Sequence, residues 1–371
     1  MKILFVPYGS VKAPATRYRV SQIIPFLEKE NIGCAVFSSI SGFSTRLMLR
    51  SPEFSMPGRV FYYIYVFIER IVRFFPILLM ASFYDVIFLQ RTTFSFGLEK
   101  LLALRNKNIV FDIDDAIYLT DSESGGILTR IKKFFKENEV TGILKVASTV
   151  IVENDYIKNF VSGYCDNVLK IPGPIDTDRF APAAKEPREK VIVGWIGSPA
   201  TTVYLHMLDG VFKALNDKYD FVEFRFIGAG RYNNPGIRYE IIPWAYDTEV
   251  ALLRSFDIGV MPMPDDAWTR GKLGCKMLQY MALGIPALVS YTPTNAEMIE
   301  DGVNGYFASS DREWISKLSL LIEDRALRGR IGGSGRDAVV AKCSLRTNVG
   351  RYVKVFLGAY SHASQSAKKS F

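Results

Sequence analysis

The chain has 371 residues, too many for one ordinary core and suited to two domains of about 150–200 residues each. Hydrophobic residues make up 49% and charged residues 23%, which excludes an intrinsically disordered chain. The net charge of +8 favours an anionic partner, whether nucleic acid, an acidic membrane surface or a phosphorylated small molecule.

The first element is the apolar run 3–6, closed by Pro7, Gly9 and Ser10. It reads as a buried parallel strand running into a loop. The run is too short for a signal peptide, and no cleavage-type segment follows, so the expected location is the cytoplasm. Cys34, Cys165, Cys275 and Cys343 have no paired spacing and read as free thiols. His206 and His362 sit near no cysteine pair, so no zinc site is expected. A helix is expected over 19–29. Residues 59–83, RVFYYIYVFIERIVRFFPILLMASF, are aromatic and apolar but hold Arg59, Glu69, Arg70 and Arg73. A spanning helix would bury those charges at high cost. A core helix with solvated charges, or a helix lying on a membrane surface, tolerates them. The run 130–136, with Lys132, Lys133 and Lys136, has the same basic and aromatic character. Buried strands at 85–89, 108–113 and 149–152 complete a β-then-α alternation, which predicts a parallel sheet.

Residues 171–176 and 182–187 are rich in proline and read as a hinge and linker. The alternation then restarts, with strands at 190–196, 222–227, 239–242, 258–261 and 287–290, and a helical stretch over 311–360. Two such sets predict two Rossmann-like domains facing a cleft, with ligands at the C-terminal ends of the strands.

The stretch 265–290, DDAWTRGKLGCKMLQYMALGIPALVS, carries the most chemistry. Gly271 and Gly274 precede a helix expected to reach Leu283. Lys272, Lys276 and Gln279, spaced i, i+4, i+7, would share one face of it. A glycine-rich helix start offers free N–H groups and a positive dipole end, which suits a diphosphate. Gln279 can meet ribose hydroxyls. An ordinary solvated helix face explains the same pattern.

The sequence resembles the family 4 glycosyltransferases of GT-B fold, the group that builds bacterial surface polysaccharides and glycolipids. Residues 279–289, QYMALGIPALV, resemble the signature "E-Y/A-M-A-x-G-x-P-V-V"; residues 295–305, NAEMIEDGVNG, resemble the following "E-x-I-x-D-G-x-N-G". Residues 171–182, IPGPIDTDRFAP, resemble the interdomain "I-P-N-G-V-D-x-x-x-F-x-P", and 257–262 the strand before the donor loop. The resemblance implies an α/β GT-B fold with a C-terminal helix crossing back to the N-terminal domain. The expected domains are 1–180 for the acceptor, 181–345 for the nucleotide-sugar, and 346–371 as helix and tail.

The signature normally has two glutamates eight positions apart; this chain has Gly271 and Gln279 there. Glutamine can still bond a diol, whereas Gly271 supplies no charge. By the resemblance, Gly197, Ser198 and Thr201 after the strand 190–196 meet the donor phosphates, as do Lys272, Gly274 and Lys276; Trp244 falls where the nucleobase sits. An N-cap with a turn explains Ser198 and Thr201 equally well, and core packing explains Trp244. Asp114 and Asp115 fall near the family's cleft-facing His-Asp and are the catalytic candidates. Asp112-Ile113-Asp114-Asp115 also has the form of a metal-binding Asp-x-Asp, but the resemblance implies no bound metal and no cofactor. Gly9, Arg17 and Arg19 are candidates for a phosphate of donor or acceptor; exposed arginines at a helix start explain the last two as well.

The expected activity is retaining transfer of a hexose-type sugar from a UDP- or GDP-sugar to a lipid-linked or glycan acceptor in bacterial envelope glycan synthesis. The expected partners include the inner membrane surface and exclude nucleic acid, since Lys and Arg are dispersed without a nucleic-acid motif. The alternative is a catalytically impaired sugar-nucleotide-binding or scaffolding partner of another transferase.

Overall fold

A computed structural model describes residues 1–51, 54–119, 127–184 and 188–368, with 127–135 and 362–368 described in backbone only. The chain divides into two units. The first takes Met1–Pro174, Gly271–Leu273 and the stretch from Leu345 onward; the second takes Ile175–Arg270 and Gly274–Ser344.

The first unit is built on the strands β1 (Lys2–Pro7), β2 (Gly33–Val36), β3 (Val86–Gln90), β4 (Ile109–Ile113), β5 (Thr149–Val152) and β6 (Val168–Lys170). All pair in parallel, in the order β2-β1-β3-β4-β5-β6. β3, β4 and β5 are buried at every position, which is why they read as predominantly apolar runs. Its helices are α1 (Pro14–Thr16), α2 (Ile24–Lys29), α3 (Gly42–Arg50), α4 (Met56–Met80), α5 (Leu98–Arg105), α6 (Ile127–Val146) and α7 (Asp155–Val161). The helix expected over 19–29 is split into a wide π-helical turn over Arg17–Ser21 and α2. Pro25 accounts for the break: it has no N–H to continue the preceding turn but fits the first turn of a new helix.

The second unit repeats the plan with β7 (Val191–Ile196), β8 (Val222–Ile227), β9 (Tyr239–Ile242), β10 (Ile258–Met261), β11 (Ala287–Ser290) and β12 (Tyr306–Ala308). Their order is β12-β11-β10-β7-β8-β9, so the winding reverses between β7 and β10. Such a reversal opens a crevice at the strands' carboxyl ends. The helices are α8 (Asp209–Lys218), α9 (Glu249–Arg254), α10 (Ala267–Arg270), α11 (Cys275–Ala282), α12 (Asp311–Glu323) and α13 (Arg325–Cys343). Tyr280 on α11 locks this helix to the sheet. Its hydroxyl accepts from the Ile196 N–H at 3.0 Å and lies 3.3 Å from the Val260 carbonyl. Gly259 makes room for it, because a Cβ there would run into the Tyr280 ring.

The final helix, α14 (Leu345–Lys368), buries Leu345, Tyr352, Phe356 and Ala359 against Phe5, Phe88 and Val110 of the first sheet. The expected crossing back is therefore present. β2, β6 and β12 do not appear among the expected strands. All three are short edge strands with few fully buried positions, so their apolar signal is weak.

Candidate functional site

In the second unit, the strand-end side chains gather beside the switch between β7 and β10. Gly197 follows β7; a Cβ there would collide with the Trp195 ring, so the backbone must pass bare. Ser198 begins the helical turn over Pro199–Leu208, and its N–H donates to Thr201 Oγ1 at 3.1 Å. Lys276, in the first turn of α11, reaches Thr201 Oγ1 at 3.4 Å, with its Nζ 4.2 Å from the Trp195 ring centroid. Gly274 caps this helix. Gly197, Ser198, Thr201, Gly274 and Lys276 thus come together: hydroxyls, an ammonium and a helix N-terminus at one strand end, a set suited to phosphate oxygens.

One turn further along α11, Gln279 is buried and donates its Nε2 to Glu249 Oε1 at 3.1 Å. Trp244 is half-buried and donates its Nε1 to the same oxygen at 3.0 Å. Arg179 completes the cluster, with Nη2 3.1 Å from Glu249 Oε2 and its guanidinium 3.9 Å from the Tyr246 ring centroid. Sequence reasoning missed Glu249 and Arg179. Arg179 occupies an unspecified position of the interdomain pattern, and Glu249 lies in no motif.

The face expected to carry Lys272, Lys276 and Gln279 holds only the last two. α11 begins at Cys275, so Lys272 precedes the helix, in the Gly271–Leu273 stretch that groups with the first unit. Gly271 is fixed there by steric demand. Its carbonyl accepts from Asn154 Nδ2 at 3.0 Å, and an added Cβ would lie 2.6 Å from that of Ala116. A glutamate does not fit at this position without moving backbone.

In the first unit, Arg19 is neither exposed at a helix start nor open to a phosphate. It is 1% exposed, with Nε donating to Asp112 Oδ2 at 2.7 Å, Nη2 paired with Asp112 Oδ1, and Nη1 3.2 Å from the Ile171 carbonyl. Burial pushes the Asp112 carboxyl above its ordinary range, only partly offset by Arg19. Asp114 and Asp115, after β4, both bind Arg91, through Nε and Nη2 respectively. Burial opposes ionisation of Asp114, but the charge and hydrogen bond of Arg91 outweigh it and hold this carboxyl below the usual range. Arg91 has φ 53°, a left-handed conformation sparsely used by non-glycine residues and often found at functional sites. Glu153, just past β5, lies 3.9 Å from Arg19; burial drives its carboxyl well above the ordinary range. Arg91 and Glu153 were also missed, because nothing in the local sequence marks them. Gly9 is buried, its carbonyl accepting from Thr16 Oγ1 at 3.0 Å, and Arg17 is half-buried with Nη1 donating to the Lys12 carbonyl at 3.0 Å.

The apolar segment forms α4, continuous through Pro76. Glu69, Arg70 and Arg73 turn inward, whereas Arg59 is exposed. Arg70 pairs with Glu139 at 2.9 Å, Arg73 donates to the Ser38 carbonyl at 2.9 Å, and Glu69 accepts from the Ser41 N–H at 3.0 Å. Phe61, Ile64, Ile68, Val72, Phe75 and Leu79 form an exposed stripe at helical spacing. Among the described residues, no helix is long and apolar enough to cross a membrane, and no group of three or more His, Cys, Asp and Glu is placed to hold a metal ion. The side chains of Lys132, Lys133 and His362 lie outside the described residues.

Two parallel-sheet α/β units with a C-terminal helix returning to the first define a GT-B fold. Solved structures share it: HepE of Anabaena in complex with UDP, 14% identical, covering 96% of this chain and 100% of that one at a TM-score of 0.65; and sucrose-phosphate synthase of Thermosynechococcus elongatus, 12% identical, covering 97% and 99% at a TM-score of 0.71. Residues 190–324 match the family model described as glycosyl transferases group 1. Fold and match together define a glycosyltransferase. A comparison with curated protein sequences finds no significant match.

Proposed function

We propose that the protein is a retaining glycosyltransferase of family 4 type, moving a hexose-type sugar from a UDP- or GDP-sugar to a lipid-linked or glycan acceptor of the bacterial envelope. The observation that carries the reading is the convergence of Lys276, Thr201, Ser198 and the α11 N-terminus beside the β7–β10 switch, within the segment that matches the group 1 model. There the diphosphate is held by the ammonium, the hydroxyls and backbone N–H groups, and no metal is required. HepE of Anabaena, similar in fold, has been solved with UDP and with UDP-glucose, which supports a uridine donor. The resemblance to family 4 supports retention: the acceptor hydroxyl attacks the face the diphosphate leaves, and the departing phosphate oxygen takes its proton. We assign to Asp114 and Asp115, which Arg91 holds, the role of accepting hydrogen bonds from sugar or acceptor hydroxyls.

We further propose that α4 rests on the inner membrane surface. Its apolar stripe faces outward, and every exposed charged residue on α3, α4 and α5 is basic: Arg46, Arg50, Arg59, Lys100 and Arg105. Aromatic and aliphatic groups beside basic ones suit the headgroup boundary of an anionic bilayer.

The experiment is a thermal-shift panel of UDP, GDP, ADP and their sugars, since a ligand that binds only the native state raises the melting temperature. Donor hydrolysis and transfer are then assayed with the nucleotide-sugar that responds. A response to none of them overturns the donor assignment. Binding without any hydrolysis or transfer selects the non-catalytic partner instead.

A further inference from the structure

We propose that Glu249 is the positioning carboxylate of the nucleoside subsite, setting Gln279 and Trp244 for the ribose and base of the donor. The inference rests on the nucleotide-sugar reading above and assigns a residue which that reading leaves without a role.

Glu249 is 3% exposed. A carboxylate at such a position is costly unless donors surround it. Two donors and one counter-charge meet it, from three separate parts of the second unit: Trp244 Nε1 at 3.0 Å, from the loop after β9, and Gln279 Nε2 at 3.1 Å, from α11, both donate to Oε1, while the Arg179 guanidinium, from the segment after Ile175, forms an ion pair with Oε2 at 3.1 Å. A carboxylate only accepts. It therefore forces the Gln279 amide to turn its NH2 group inward and its carbonyl the opposite way. A neutral partner would allow either amide orientation. The same oxygen pins the Trp244 indole by its single N–H, and the other end of the carboxylate holds Arg179 across the Tyr246 ring.

The location gives this arrangement its meaning. Gln279 stands three residues beyond Lys276 on the same helix, so the carboxylate lies next to the proposed diphosphate position. A donor bound there extends its ribose and base away from the phosphates. In this chain position 279 is an amide, and the structure places a carboxylate beside it from α9. The negative charge of the subsite thus sits one side chain deeper, behind the group that meets the sugar.

The test uses the full-length protein and measures Kd for UDP and 2′-deoxy-UDP by calorimetry, with melting temperatures as a folding control. Gln279→Glu puts two carboxylates within hydrogen-bond distance, so UDP affinity falls about 10-fold or more. The exchange Glu249→Gln with Gln279→Glu restores one carboxylate and one amide, and recovers affinity to within about 3-fold of wild type. Glu249→Gln alone frees the amide orientation and shrinks the preference for UDP over its deoxy form, a change that a mere brace would not produce. Should Gln279→Glu fail to fold, that preference in Glu249→Gln decides the matter. Gln279→Glu binding UDP as tightly as wild type, or Glu249→Gln keeping the full preference, overturns the proposal while leaving the donor reading intact. Wild-type protein that binds neither UDP nor GDP overturns both.

Discussion

Replacing Arg19 with methionine tests whether this residue is a structural ion or a ligand contact. The guanidinium is 1% exposed and Asp112 is wholly buried, so Arg19→Met leaves a buried carboxylate without its ion-pair partner. Breaking a buried pair on one side costs about 3–5 kcal/mol. For a unit of this size each kcal/mol moves the melting temperature by about 2–4 °C, so the first unit's transition falls by roughly 6–20 °C. The sign of the pH dependence follows from Asp112. Burial already lifts its folded-state value above the unfolded one, and loss of Arg19 lifts it further. The folded variant then binds more protons than its unfolded chain, so its deficit is fully present above the raised value and shrinks as pH falls through it. Differential scanning calorimetry at pH 7.5 and at pH 5 reads both effects, with the wild type as reference. Arg19→Met combined with Asp112→Leu removes the stranded charge and recovers most of the loss. A single variant that melts within about 2 °C of wild type and yet binds nucleotide more weakly refutes this account, and puts Arg19 in contact with ligand.

Three other outcomes are expected. Lys276→Met removes one charge-assisted contact, and UDP affinity measured by calorimetry falls by roughly 10- to 100-fold, with the fold intact by circular dichroism. Sugar transfer continues in excess EDTA; full loss of turnover that magnesium or manganese restores contradicts the metal-free diphosphate site. Co-sedimentation with phosphatidylglycerol vesicles weakens as salt rises, at about 1 kcal/mol per basic residue near the surface. The exposed substitutions Phe61→Ser, Ile68→Ser and Phe75→Ser together abolish the remainder that resists salt. A wild-type protein that stays in the supernatant at every salt concentration ends the membrane assignment.

The fold was legible where burial acts on both faces of a strand. Residues 109–113 and 191–196 are apolar or small almost throughout because neighbours cover them above and below. Edge strands escape this logic. Gly33–Val36 is exposed or half-buried at every position, so nothing forces an apolar run, and pairing with β1 alone makes it a strand. Helix faces were legible only by period. The charges of α4 read as groups that a membrane must tolerate, yet Glu69, Arg70 and Arg73 find their partners in Ser41, Glu139 and Ser38, well separated from them in the chain.

The site divides along the same line. Gly197, Ser198 and Thr201 stand out in the sequence because a strand end and a turn are consecutive there, and Lys276 because a helix start follows Gly274; folding brings the lysine to Thr201 across 75 residues of chain. Glu249, Arg179, Arg91 and Glu153 were not, because each acquires its role from a partner brought near by folding. The carboxylate question shows why offsets within one helix mislead. At 271 the space is taken, since any Cβ meets Ala116. At 279 the side chain is neutral. The connection from β9 into α9 delivers Glu249 to the same spot, 30 residues away from Gln279 in the chain. In this chain Glu249 supplies the charge beside α11. A pattern read at fixed spacing therefore records a missing charge where the folded protein holds one.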